Sequence, residues 1–175
     1  MENHEYEQRQ TELQVAMRNL ILKGNPNNFT TLTFKENVSF KYARECYGSF
    51  ASGLKRELFG WKSRKRILMF PVVEGTGDGM NRATHHDIFG GRIHIHSVMG
   101  LPGNPQDHKD LVLSLWVQSG GRCGNPRVYC PGSDNWFLDF DDKEKRRVMA
   151  NYSVKTCAND HYCVLWEFVP RWLTK

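Results

Sequence analysis

The sequence predicts an α+β domain, an antiparallel central sheet flanked by helices. Three observations predict it. The near-continuous apolar run ILMFPVVEG (residues 67–75) and the alternating run GGRIHIHSVMG (residues 90–100) stand on either side of one long loop. Two strands so placed pair most simply as an antiparallel hairpin. Helical periodicities then alternate with further strand-like runs, which fits helices packed on a sheet. The chain is also long enough for one domain with a normal core: 175 residues, 39% apolar and 12% aromatic.

The elements follow in order. Residues 5–22 carry apolar positions at Leu13, Met17, Leu20 and Ile21 and stop at Gly24 and Pro26, as a helix does. This helix is expected as an N-terminal extension (residues 1–24) of a single domain spanning 1–175. NNFTTLTF (residues 27–34) alternates and is rich in Thr and Phe, so it is a strand. A second helix, Phe40–Phe59, runs into a basic linker. In residues 67–75, Pro71 has no N–H to give, which places this buried strand at an edge or a bulge. After the turn LPGNPQ, residues 107–118 form an amphipathic helix with Leu111, Leu115 and Trp116 inward. GGRCGNPRVYCPGS is a loop with a short strand, and NWFLDF is a strand. DDKEKRRVMANYSVKTC is a helix whose start carries Asp141 and Glu144 in capping-box spacing. HYCVLWEFVP reads as a final strand. The order is close to the split βαβ group, a ferredoxin-like variant.

Composition narrows the function classes. No apolar run is long enough to span a membrane, and the start, MENHEYEQRQTELQ, is polar and acidic, unlike a secretory signal. A cytoplasmic protein with no membrane partner is expected. The net charge is +5, with Lys and Arg outnumbering Asp and Glu by 24 to 19. The excess is clustered in KRELFGWKSRKR (residues 55–66) and KEKRR (residues 143–147). Cations interleaved with Phe59 and Trp61 suit a nucleic-acid groove, and equally a solvated helix face. The five cysteines, Cys46, Cys123, Cys130, Cys157 and Cys163, are odd in number and lack CxxC spacing. They read as buried thiols rather than as a disulfide framework or a zinc knuckle. No GxxxxGK[ST] occurs, which excludes a P-loop motor.

Three features carry chemistry. His94 and His96 alternate with Ile93 and Ile95, so both imidazoles share one face of a strand. They can close on a single metal ion or stand as half-exposed strand residues. Glu74 ends the preceding strand, and in a hairpin it lies beside them. A carboxylate and two imidazoles make a three-ligand site with open positions for a substrate oxygen. Such a set accepts Mn2+ or Mg2+ and would bind Zn2+, Ni2+ or Co2+ more tightly. The third feature is NYSVK: Tyr152 and Lys155 are spaced to share a helix face. A phenol, with a pKa near ~10, is a poor nucleophile at neutral pH. A neighbouring cation favours the phenolate and offsets charge on a phosphoryl group under attack. A core tyrosine beside a solvated lysine would read the same way.

Together these motifs resemble those of the HUH endonucleases, specifically the single-tyrosine rolling-circle replication initiators (Reps). FTTLTF (Phe29–Phe34) is similar to the family's first strand motif, HIH at residues 94–96 to its histidine motif, and Tyr152–Lys155 to its YxxK. Glu74 corresponds to the acidic ligand on the strand before the histidines. The tyrosine follows the histidines, as in Reps and unlike conjugative relaxases. The resemblance covers roughly residues 27–157.

It implies a divalent ion, Mn2+ or Mg2+, held by Glu74, His94 and His96, and a nucleophilic Tyr152 aided by Lys155. The implied substrate is single-stranded DNA at a replication origin, presented in a hairpin. Arg64, Lys65, Arg66 and Trp61 of the linker, with Arg92 ahead of the histidines, are the expected DNA contacts. A host helicase and polymerase are the implied partners, since the family's helicase domain is absent. Two departures stand out: the loop 76–91 is long for a hairpin, and it carries His85 and His86 as rival ligands. Alternative readings are a single-strand transposase, for which Asn159 is the nearest amide ligand, and a binding module using Phe29 and Phe34 as a stacking platform. A zinc-stabilised interaction protein comes third.

Overall fold

Period-two alternation sorts the side chains of the central strands onto two faces, and each face is roofed by a pair of helices. The computed structural model describes residues 10–75, 93–122, 128–129, 136–155, 157 and 163–173. Within these, β1 (Asn28–Phe34) is central to one antiparallel sheet. On one side it pairs with β3 (His94–Gly100); on the other it pairs with β4 (Val128–Tyr129) and β5 (Phe137–Asp139). β2 (Leu68–Glu74) pairs along β3 as the predicted hairpin, in unbroken register from Leu68↔Gly100 to Glu74↔His94. Pro71 therefore marks an edge and makes no bulge.

His161 and Tyr162 of the expected last strand, HYCVLWEFVP, lie outside the described residues; in its described part there is one bridge, Val72↔Val164, followed by the 3-10 turn Trp166–Phe168. Pro71 accounts for this. The Val73 N–H donates to the Cys163 carbonyl and the Leu165 N–H to the Pro71 carbonyl. The next rung needs an N–H from residue 71, and proline has none.

Helices α1 (Glu12–Lys23), α2 (Phe40–Phe59), α3 (Lys109–Arg122) and α4 (Lys143–Ser153) complete the described elements, with a 3-10 turn (Pro105–His108) ahead of α3. The α2 bounds agree with the sequence. α1 starts later than expected, because Thr11 caps it. The Thr11 hydroxyl accepts the Gln14 N–H, and the Gln14 side chain accepts the Thr11 N–H. Residues 5–9 of the expected helix lie outside the described residues. In α4 the cap is Asp142 rather than Asp141. Its Oδ1 accepts the Lys145 N–H at 2.7 Å, so Glu144 complements the helix dipole from the first turn instead of closing a capping box. α3 begins at Lys109, since residues 105–108 take the tighter turn, and it outruns its expected end at Gln118.

Leu32, Phe34, Met69, Val73, Ile95 and Met99 face α2 and α3, where they meet Phe50, Leu54 and Trp116. The indole N–H of Trp116 donates to the Thr33 carbonyl at 3.1 Å and ties α3 to the sheet. The other face carries Phe29, Phe70, Val72 and Val98 under Met17 and Ile21 of α1 and Ala150 of α4. The result is three layers, helices–sheet–helices. No helix among the described residues is long and apolar enough to cross a membrane.

Candidate metal centre and nucleophile

The face under α1 and α4 is apolar only part of the way along. Towards the end of β3 where the hairpin loop attaches, it carries His94 and His96, with Glu74 paired to His94 across β2 and β3. All three side chains are buried, Glu74 at 2% exposure. Glu74 Oε2 lies 3.3 Å from His94 Nε2 and 3.5 Å from His96 Nε2. Lys155 Nζ approaches the same oxygen at 3.2 Å.

Burial raises the Glu74 pKa, but the two imidazoles beside its oxygen and, more weakly, the Lys155 ammonium outweigh it. The carboxyl ends well below its usual range. Burial pushes His96 down to about 4, with Glu74 opposing. His96 is thus neutral at pH 7, and Lys155 adds a positive charge beside the Glu74 carboxylate.

These residues fit a metal. Donors bound about 2.1 Å from one ion stand roughly 3.0 to 3.5 Å apart, the separation of Glu74 Oε2 from each imidazole. His96 Nε2 is buried and has no hydrogen-bond partner, an orphan that an ion would satisfy. Among the described residues this is the one cluster of three or more His, Cys, Asp or Glu side chains able to hold an ion.

α4 brings Tyr152 over this cluster. The Tyr152 ring meets His96 edge-on at 5.1 Å and Phe29 at 5.7 Å, and 38% of the residue stays exposed. Lys155 Nζ lies 3.8 Å from the centre of that ring. The sequence places both residues on one helical face. They are neighbours, but α4 ends at Ser153 and Lys155 sits in the following turn, its N–H bonded to the Tyr152 carbonyl.

That turn is held by α1. Gln14 Nε2 donates to the carbonyls of Val154 and Lys155 at 3.1 and 3.0 Å, and Gln10 Nε2 to Asn151 Oδ1 at 3.0 Å. Carbonyls at a helix end have no partner within the helix, and Gln14 supplies one to each of the two that follow Ser153. Sequence reasoning missed this role of Gln14. The TELQ capping box was its available signal, yet a local motif cannot announce a distant acceptor.

Comparison with protein-family models, with curated proteins and with solved structures gave no match. The antiparallel sheet with its helices and the buried Glu74, His94 and His96 are compatible with an HUH motif.

The structure gathers Glu74, His94, His96, Tyr152 and Lys155, and sets the basic linker apart. Arg64, Lys65 and Arg66 are exposed just ahead of the start of β2, whereas Glu74 ends that strand, about 20 Å along. Trp61 is 82% exposed, with the Arg56 guanidinium 5.3 Å from its ring centre. Arg92, His85, His86, Asn159, Cys123, Cys130 and the loop 76–91 lie outside the described residues. Cys46, Cys157 and Cys163 are buried thiols, as expected.

One expectation is corrected. Phe29 and Phe34 form no joint stacking platform, because an odd and an even strand position face opposite sides and both rings are buried. Phe29 stacks on His96 at 5.2 Å, while Phe34 packs against Trp116 on the other face.

Proposed function

We propose that this chain is a metal-dependent nuclease of the single-tyrosine HUH type, which nicks and rejoins single-stranded DNA at a replication origin. The observation that carries the reading is the convergence of Tyr152 and Lys155 on the Glu74–His94–His96 cluster. Neither a core tyrosine nor a plain binding surface accounts for a buried carboxylate and two imidazoles beneath a half-exposed phenol.

A divalent ion, Mn2+ or Mg2+, held by Glu74, His94 and His96 would supply Lewis acidity to the scissile phosphate. Tyr152 Oη forms a bond to phosphorus while the P–O3′ bond breaks, leaving a 5′-phosphotyrosine and a free 3′-hydroxyl. The phenol gives up one proton and the 3′-oxygen gains one, so the exchange is balanced. Lys155, 3.8 Å from the centre of the Tyr152 ring, offsets charge on the phosphoryl oxygens. Phe29 and His96 hold the Tyr152 ring on edge, which limits the geometries from which it attacks. The phosphotyrosine conserves the energy of the broken bond for rejoining, and the 3′-hydroxyl can prime rolling-circle synthesis. Arg64, Lys65, Arg66 and Trp61 are suited to hold DNA some distance from the scissile phosphate.

The test is a covalent-adduct assay with Mn2+ and labelled origin strand on a denaturing gel. A shifted band that requires metal and disappears in Tyr152→Phe and His94→Ala supports the reading. Metal-independent DNA binding without any adduct overturns it in favour of a binding module.

A further inference from the structure

We infer that Thr31 is a positioning residue for the metal centre, its hydroxyl holding the His96 ring so that Nε2 faces Glu74; the inference rests on the metal reading above. Thr31 and His96 are directly opposed across β1 and β3, and both are buried. Thr31 Oγ1 lies 3.1 Å from His96 Nδ1. A neutral imidazole carries hydrogen on one nitrogen only. When Nδ1–H donates to the Thr31 hydroxyl, Nε2 keeps its lone pair and presents it beside Glu74 Oε2, the form that a metal ion requires.

Two contacts then define the ring. Phe29 stacks on it at 5.2 Å and 27° between planes, which sets the plane of the imidazole. Thr31 sets its rotation within that plane. A hydroxyl both donates and accepts, so Thr31 also serves the other tautomer, with Nε2–H towards Glu74. The ring keeps its place whether or not an ion is bound.

Thr33 supplies the contrast. It is the next residue on the same face, opposite His94, and its Oγ1 is buried with no hydrogen-bond partner. A Thr-to-Val change is the same chemical edit at both positions, yet only at Thr31 does it remove a bond to a proposed ligand.

The experiment is calorimetric titration of the full chain with Mn2+, comparing the native protein with Thr31→Val, Thr31→Ser and Thr33→Val. Thr31→Val is expected to weaken binding by about 10- to 100-fold, the usual effect of losing such a partner, with Thr31→Ser restoring most of it. Thr33→Val should leave the affinity near native. Native affinity in Thr31→Val, or a Ser variant as weak as Val, overturns the inference and leaves the metal centre standing. No Mn2+ uptake by the native chain overturns the metal reading itself. Should Thr31→Val not fold, the imidazole 15N shifts of the native chain loaded with Zn2+ decide the matter. A protonated Nδ1 with the ion on Nε2 of His96 supports the inference, and the reverse overturns it.

Discussion

Towards α2 and α3 the sheet presents the buried apolar Leu32, Phe34, Met69, Val73, Ile95 and Met99, with only neutral hydroxyls among them, such as Ser97, which meets the Tyr47 hydroxyl at 2.7 Å. Towards α1 and α4 the same three strands present Phe29, Phe70, Val72 and Val98, and then Thr31, Thr33, Glu74, His94 and His96. Burying apolar area stabilises by about 25 cal/mol per Å2, whereas a buried charge costs stability unless it is paired. The first face therefore holds the fold together. The second gives up part of that gain at one end to keep a carboxylate, two imidazoles and an ammonium in contact. The division of labour is testable, because substitutions on the two faces should change different measurements.

The largest effect on stability is expected from Phe50→Ala, on the apolar side. Phe50 is fully buried, and its loss should cost about 3–5 kcal/mol in urea unfolding while leaving Mn2+ affinity near native. A large change in metal affinity would break the proposed separation of the faces.

The opposite pattern is expected when Glu74→Met and Lys155→Met are combined. Removing both charges of a buried pair in favour of apolar side chains is neutral or stabilising by about 1–4 kcal/mol. Metal binding and adduct formation should be lost with no loss of stability. A destabilised double variant would mean that the polar end helps hold the fold.

Acid should distinguish the faces at a smaller scale. His96, at about 4 in the folded chain, lies below its ordinary value of 6.5, so the unfolded chain binds more protons between those limits. Its contribution is complete above pH 6.5 and is lost as the pH falls towards 4. Glu74, also held below its ordinary range, extends the loss below pH 4.5. Metal-free protein should lose about 2 kcal/mol from this source between pH 7 and pH 5, measured by urea unfolding. His96→Leu should remove that loss, whereas Phe50→Ala should lower the whole curve in parallel.

The smallest change concerns Lys155→Met alone. The ammonium 3.2 Å from Glu74 Oε2 competes with any cation seeking that oxygen. Its removal should tighten Mn2+ binding by about tenfold in a calorimetric titration, even as adduct formation falls. Unchanged or weaker metal binding would show that Lys155 does not oppose the ion.

Much of this was legible in the residues. Alternation in residues 93–96 placed both histidines on one face, and the succession of ILMFPVVEG and HIHSV, with no other strand-like run between them, pointed to the hairpin that aligns Glu74 with His94. Gly24 and Pro26 correctly foretold the end of α1. Where the reading failed, a neighbour's chemistry had intervened. Pro71 denied the last strand its second rung, and Asp142 captured the cap of α4 from Asp141.

By itself the sequence determined the strand faces, most of the helices and the candidate ligands, because periodicity and turn chemistry act between residues close in the chain. Only the tertiary structure decided that Lys155 meets Glu74, that Thr31 holds His96, and that Gln14 ties off the turn carrying Lys155, 141 positions away. Those contacts depend on how α1 and α4 pack across the sheet. Packing is a property of the whole buried face, so no local pattern of residues could announce it.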